Sequence, residues 1–201
     1  MNTVHRWLCG SRAWRHHVEG RLLPWALAGV DLGAAVLELG PGPGRTTRCL
    51  SGNGRRVTAV EVDGRMAREL IPLQARREVT VVQGDASALP FADAAFDTVV
   101  AFTMLHHLPS ADLQDRVFAE TARVLRHGGL FAGTDGRAGL IFRLLHAGDT
   151  ITVVPPDGLG RRLEAAGFVD VEVETSPGAL RFRAWRPPCS PTVSPAPSAA
   201  R

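Results

Sequence analysis

Glu38-Leu39-Gly40-Pro41-Gly42-Pro43-Gly44 follows an apolar run and leads into a helix-like pattern. Glycines at such a turn let the backbone bend sharply and come close to a ligand. A helix opening near Arg45 would aim its first free N–H groups at the same point. In a dinucleotide fingerprint the third glycine comes three residues after the second. Here Gly44 follows Gly42 by two, and an acid, Glu38, precedes Gly40 by two. Glu61 lies 21 residues after Gly40, the distance at which a carboxylate reaches ribose hydroxyls. It would repel a 2′-phosphate. Asp85, in Val82-Gln83-Gly84-Asp85-Ala86, can accept from an adenine amino group. Asp63, ahead of Gly64, reads instead as a helix N-cap.

Imidazoles offer a second chemistry. His106 and His107 fall in Thr103-Met104-Leu105-His106-His107-Leu108, at the expected end of a strand. A neutral imidazole there can take a proton from a hydroxyl, and His106 is the candidate catalytic residue. The plainer reading has one histidine packed and the other solvated. His146 and Asp149 could form a base and its orienter, or a local cap and ion pair with Arg143. The segment around them is expected to wall a pocket. His16 and His17 are adjacent on a helix and point apart, so they do not suit a metal. Cys9, Cys49 and Cys189 match no zinc spacing. No metal is expected.

The elements that must hold these residues alternate. Strands are expected at Ala35–Leu39, Val57–Val62, Val79–Val82, Phe96–Phe102 and Leu130–Gly133. Helices fall between them: one from Arg45, one over 64–73 ending near Pro72, and one from Ser110 to a stop at Gly128 and Gly129. A short helix spans Pro155–Ala166. Val169, Val171 and Val173 alternate with acids, and Leu180, Phe182 and Ala184 alternate with Arg181 and Arg183, across a Ser176-Pro177-Gly178 turn. That is an antiparallel hairpin. Continuously apolar strands in βαβ order predict a parallel sheet covered on both faces, with its site at the carboxyl ends of the strands. Residues 3–18 read as an amphipathic helix, and Pro24 marks a new start. Residues 1–30 are expected to form a helical cap or lid, 31–186 the main domain, and 187–201 a disordered Pro/Ser/Ala-rich tail.

Composition narrows the chemistry. The 201 residues suffice for one domain. All 23 basic residues are Arg, and there is no Tyr. Without Lys there is no Schiff base and no Walker A loop, and a Tyr/Lys reductase is ruled out. The net charge of +3 belongs to the ends. Residues 1–30 carry +3 and 186–201 carry +2, whereas the 155 between them carry −2. A duplex-binding domain spreads a basic stripe across itself, so nucleic acid is disfavoured. No apolar run is long enough for a membrane span, and a cytoplasmic protein is expected. Helix 3–18, with Trp and Arg, could also touch a membrane surface. Its modest apolar arc, interrupted by Arg15, favours core or lid.

The chain resembles the class I S-adenosylmethionine-dependent methyltransferases over about residues 35–185, and most of all the small single-domain branch of ubiquinone/menaquinone-type enzymes. The resemblance rests on Glu38–Gly44, Glu61, Gly84-Asp85-Ala86 with Leu89-Pro90-Phe91, Phe96-Asp97, and Val124-Leu125-Arg126-His127-Gly128-Gly129. Arg126-His127 stands where relatives commonly show Lys-Pro. The resemblance implies a Rossmann-like α/β fold: a seven-stranded, mostly parallel sheet, helices on both faces and a C-terminal antiparallel hairpin. It implies S-adenosylmethionine as cofactor. Gly40 and Gly42 would pack against its methionine portion, Glu38, Pro41 and Gly44 would also be part of the cofactor site, and Glu61 would bind the ribose. Asp85 and Ala86 would hold the adenine, and Phe102 and Thr103 the amino end. The implied activity is methyl transfer to an O, N or C nucleophile of a small metabolite, hydrophobic ones included.

Three rivals remain at this stage. One is a methyltransferase acting on RNA or protein. Another is a non-catalytic cofactor-binding module, since methyl transfer needs no obligatory side chain. The third is an NAD-dependent reductase, against which the glycine spacing argues. The Asn/Asp-Pro-Pro-Tyr adenine methylases and the Pro-Cys cytosine enzymes are excluded. The segment after the fourth strand is Thr103-Met104-Leu105-His106, and the Pro188-Cys189 pair lies in the tail. The oligomeric state is not legible.

Overall fold

The computed structural model describes residues 11–52, 54–74, 79–139, 142, 144, 146, 148 and 150–189. The first half of the expected N-terminal helix, Cys9, Arg143, Asp149 and most of the tail lie outside the described residues.

Short apolar, β-branched runs form the sheet. The strands are β1 (Ala35–Leu39), β2 (Arg56–Glu61), β3 (Val79–Gln83), β4 (Phe96–Phe102), β5 (Leu125–Gly136), β6 (Val169–Ser176) and β7 (Ala179–Trp185). Their spatial order is β3-β2-β1-β4-β5-β7-β6. The first five are parallel, and β7 runs antiparallel to both β5 and β6. The seven-stranded sheet and its terminal hairpin are as expected. The chain order reverses beside β1, which opens a crevice between the β1 and β4 tips.

Successive residues of the central strands bury opposite faces. Leu37, Leu39, Val99 and Ala101 join one core with Val117, Phe118, Leu159 and Leu163. Val36, Val100 and Phe102 join the other with Val18, Leu22, Leu50 and Leu70. The helices of the first core are α5 (Ala111–Val124) and α6 (Pro156–Ala165). Those of the second are α1 (Arg12–His17), α2 (Leu23–Leu27), α3 (Arg45–Leu50) and α4 (Gly64–Gln74).

Two boundaries differ from expectation. Gly20 does not break the N-terminal helix. The backbone continues as a π-helical turn, Val18–Leu22, with the Leu23 N–H on the Val18 carbonyl. Pro24 has no N–H to give to Gly20, and the wider turn takes up that defect. The long helix α5 ends at Val124, not at Gly128. Leu125 pairs with Phe96, and the register then slips so that Leu130 meets Thr98. Gly128, at φ +73, lies inside the slip. Arg126 is fixed by an ion pair to Asp97 at 2.9 Å.

The N-terminal helices are tied to the far end of the chain. Arg181 donates to the Trp25 carbonyl at 2.6 Å. Arg183 donates to the carbonyls of Ala26 at 2.9 Å and Ala28 at 2.8 Å. Carbonyls ending a helix lack intrahelical partners, and cations there also favour the helix dipole. The outward face of β7 thus clamps α2 in place, and α2 holds α1 above the strand tips.

Candidate functional site

A cavity of about 670 Å³ opens at the carboxyl ends of β1–β4. Its floor is built from four loops: Gly40–Pro43 after β1, Val60–Asp63 at the β2 tip, Gly84–Ala86 after β3, and Phe102–Met104 ending β4. Trp14, Val18 and Leu22 form the roof, and His107, Leu108, Leu113 and Thr150 one end.

The first loop folds through left-handed glycines, with φ +60 at Gly40, +53 at Gly42 and +72 at Gly44. A Cβ on Gly40 would stand 2.3 Å from Met104 Cγ, whereas one on Gly42 would meet no protein atom within 4 Å. Gly40, Pro41 and Gly42 line the cavity. Gly44 does not. Its added Cβ would strike Leu70 Cδ2 at 2.3 Å, so this glycine serves helix packing against α4.

Glu61 is only 6% exposed, yet it lines the cavity. Its carboxylate accepts from the backbone N–H groups of Gly42 and Asp63, both at 3.0 Å. Burial raises its pKa, and those two donors offset part of the rise. Each carboxylate oxygen keeps a second lone pair for a ligand. Asp63 caps α4, accepting from the Arg65 and Met66 N–H groups at 2.8 and 3.2 Å. Asp85 is exposed on the cavity wall beside Ala86. One of its oxygens is held by the Ser87 N–H and hydroxyl, each at 2.8 Å. Phe102 and Thr103 also line the cavity. Thr103 sits at φ +52, rare for a threonine, and donates its N–H to the Thr134 carbonyl at 2.7 Å. Such strain clusters where a fold shapes a ligand site.

Glu38 lies beneath the glycine loop, outside the cavity lining. It is 1% exposed and accepts from the Thr46 hydroxyl, while Oε2 is buried without a hydrogen bond among the described residues. Burial pushes its pKa up to about 7, against the opposing Thr46 hydroxyl.

The histidines differ most from expectation. His106 is buried and does not line the cavity; His107 does. His106 Nδ1 bonds Asp135, whose other oxygen accepts the His106 backbone N–H at 3.1 Å. His106 Nε2 is 3.1 Å from His146 Nε2, and His146 Nδ1 is 2.8 Å from the Phe142 carbonyl. The structure therefore joins His146 to His106. Asp149, its expected partner, lies outside the described residues. The turn is pinned from outside. The Gln114 amide donates to the Leu105 carbonyl at 3.0 Å and the Thr152 carbonyl at 2.8 Å, and the Thr152 N–H donates to the His106 carbonyl at 2.8 Å. Sequence reasoning missed Asp135. Its signal was an acid closing an apolar strand at the ligand rim.

A "Methyltransferase domain" family model matches residues 37–133. The chain is 31% identical over 159 residues to an uncharacterized methyltransferase of Synechocystis, covering 74% of this chain and 73% of that protein. It is 39% identical over 108 residues to the demethylmenaquinone methyltransferase of Thermobifida fusca, with 51% and 44% covered. It is 43% identical over 93 residues to ribosomal RNA small subunit methyltransferase A of Myxococcus xanthus, with 45% and 32% covered. The matched part thus spans less than half of these last two relatives. The solved PH0226 protein from Pyrococcus horikoshii OT3 shares the fold at a TM-score of 0.75 and 20% identity, over 89% of this chain and 93% of that one. With the 3-2-1-4-5-7-6 sheet and the glycine loop at its switch point, these matches establish that the chain belongs to the class I S-adenosylmethionine-dependent methyltransferase family.

Proposed function

We propose that the cavity binds S-adenosylmethionine and that the protein moves its methyl group to a small acceptor. The observation that carries this reading is Glu61, a carboxylate anchored by the Gly42 and Asp63 N–H groups at the wall of a cavity of about 670 Å³. That volume lies within the range of small-molecule sites. The residues fit the cofactor. Left-handed Gly42 faces open space where the methionine portion would pass, and left-handed Gly40 lets the loop close on Met104. Glu61 has lone pairs for two ribose hydroxyls, and the remaining oxygen of Asp85 can accept from an adenine amino group. Ala86 and Phe102 supply apolar contact.

The bound cofactor supplies a sulfonium-activated methyl group. The chain's own part is to align and to exclude water. Holding two reactants in line lowers a barrier by roughly 7–11 kcal/mol in favourable cases. Trp14, Val18 and Leu22 close the top of the cavity, which supports the lid reading of the N-terminal helix. With Leu108 and Leu113 they make the acceptor end apolar, which suits a small acceptor with hydrophobic surface. Where the acceptor must lose a proton, His107 is the imidazole at the wall; His106 is buried behind it.

The ribosomal RNA methyltransferase relative favours a second reading, an RNA acceptor. The −2 charge of residues 31–185 argues against it. Methyl-labelled cofactor incubated with the protein and a metabolite-rich extract separates the two. Label in a small-molecule fraction, reduced by Glu61→Ala, is the expected result. Label confined to nucleic acid would replace the acceptor assignment with the second reading.

A further inference from the structure

His106, His107 and His146 each bring a ring nitrogen to one place, all within 4.8 Å of one another. They come from the turn after β4 and from a segment 40 residues later. We propose that these three imidazoles form a binding site for a divalent transition metal of the zinc class, at the acceptor end of the cavity. The three-imidazole site itself does not depend on the methyl-transfer reading; the naming of its fourth ligand rests on it.

The hydrogen bonds set the tautomers. The Phe142 carbonyl can only accept, so the proton of a neutral His146 belongs on Nδ1. The Asp135 carboxylate likewise draws the proton of a neutral His106 to Nδ1. The two ε nitrogens then face each other across 3.1 Å with lone pairs opposed. A positive centre between them removes that conflict. The carboxylate–imidazole pairing of Asp135 and His106 is also the arrangement that orients a metal-bound histidine and makes it more basic.

Ligand chemistry selects the ion. Three neutral imidazoles suit zinc and its neighbours. Calcium and magnesium need oxygen ligands, and none of the three nitrogens' residues supplies one. Three protein ligands also leave a fourth position for water or substrate. His107 lines the cavity, so an ion held there sits at its wall and takes the ring nitrogen that would otherwise accept a proton from the acceptor. An oxygen donor on the acceptor is the ligand class that could complete it. With tetrahedral zinc–nitrogen bonds of about 2.0–2.1 Å, two nitrogens on one ion stand about 3.4 Å apart. The widest pair, up to 4.8 Å apart, must therefore close by about an ångström or more when the ion binds. His107, half buried at the cavity wall, is the ligand whose ring would make that movement.

The test uses the full chain, stripped with chelator and dialysed against Zn²⁺ or Co²⁺ alone. One equivalent of Zn²⁺ is expected, with visible Co²⁺ absorption of the intense, four-coordinate type. His107→Gln and His146→Gln should each weaken binding at least about tenfold, and Asp135→Asn by about 10–100-fold. His16→Gln/His17→Gln should leave it unchanged. Cooperative melting checks that each variant folds. A measurement on the unaltered chain avoids the variants altogether: of seven histidines, three should show Zn²⁺-dependent shifts of their ring nitrogens by NMR. No stoichiometric ion would overturn the proposal and leave a shared proton between His106 and His146. So would binding that survives both His107→Gln and His146→Gln, or shifts confined to other histidines.

Discussion

The two halves of the cavity are built in opposite ways. At the β1–β3 tips, short segments make the site. Gly40–Pro43, Glu61–Asp63 and Gly84–Ala86 each follow a strand directly, and one hydrogen bond, Gly42 N–H to Glu61, links the first two. At the β4–β5 tips the site is assembled from afar. His106 needs Asp135, 29 residues on, and His146, 40 residues on. The first half, which on the proposed reading holds the cofactor, draws its precision from backbone conformation, which a motif records. The second, the acceptor half of that reading, draws it from packing among distant segments.

If this division is right, damage to the two halves should read out differently. The largest effect is expected in the acceptor half. Asp135→Ala leaves the His106 ring and backbone N–H and the Gly136 N–H without their buried acceptor. Leaving donors like these unsatisfied costs about 1–3 kcal/mol each, so about 3 kcal/mol or more together, a fall in Tm of roughly 6 °C or more for a chain of this size. A smaller loss in a melting curve would mean that the cluster is not buried as described.

Glu61→Ala should act on affinity. Loss of hydrogen bonds from a charged acceptor to two hydroxyls predicts about 100-fold weaker binding of S-adenosylhomocysteine by calorimetry, at about 1.5 kcal/mol each. Zn²⁺ binding should not change. Coupling between the two would erase the proposed separation.

Glu38 gives the cofactor half a pH signature. Its pKa is raised in the folded chain to about 7, so between about pH 4.5 and 7 the folded state binds more protons than the unfolded state. Stability should therefore fall as pH rises through that window and level off above it. Chemical denaturation of Glu38→Gln, which keeps an acceptor for Thr46, should lack this fall. The difference is bounded by about 3 kcal/mol.

The smallest expected effect is at the roof. Trp14→Ala removes apolar wall supplied by the N-terminal helix and leaves every residue of the glycine loop in place. It should lower kcat/KM for the acceptor about tenfold, through lost apolar contact of about 1.4 kcal/mol. Cofactor affinity should stay within about threefold. An equal loss of both would make Trp14 part of the cofactor site.

The same division explains what could be read from the chain. Strand patterns of β-branched residues, the 21-residue step from Gly40 to Glu61 and the acid at Asp85 are local, and the structure brings these residues to one cavity. The exceptions within that half are Glu38 and Gly44, which support the loop from beneath. Spacing alone cannot tell a residue that faces a ligand from one that packs under it. Gly128 and Gly129 look like a helix stop, and α5 ends before them, at Val124. The actual stop comes from Leu125 pairing with Phe96, a long-range event. His106 was legible as a histidine at a strand end but not as buried. That depends on Thr134 lying beside Phe102, which sets Asp135 against the turn, and on residue 146 folding back over it.

The central claim is that Glu61 and the glycine loop form a site for S-adenosylmethionine. Thermal melting with its product, S-adenosylhomocysteine, tests this most directly. At about 100 times its dissociation constant a ligand adds about 2.7 kcal/mol, or roughly 5–11 °C for a chain of this size. The account predicts that shift for the unaltered protein, a much smaller one for Glu61→Ala at the same concentration, and none with NAD. A full shift with NAD and none with S-adenosylhomocysteine would contradict it, as would an undiminished shift in Glu61→Ala.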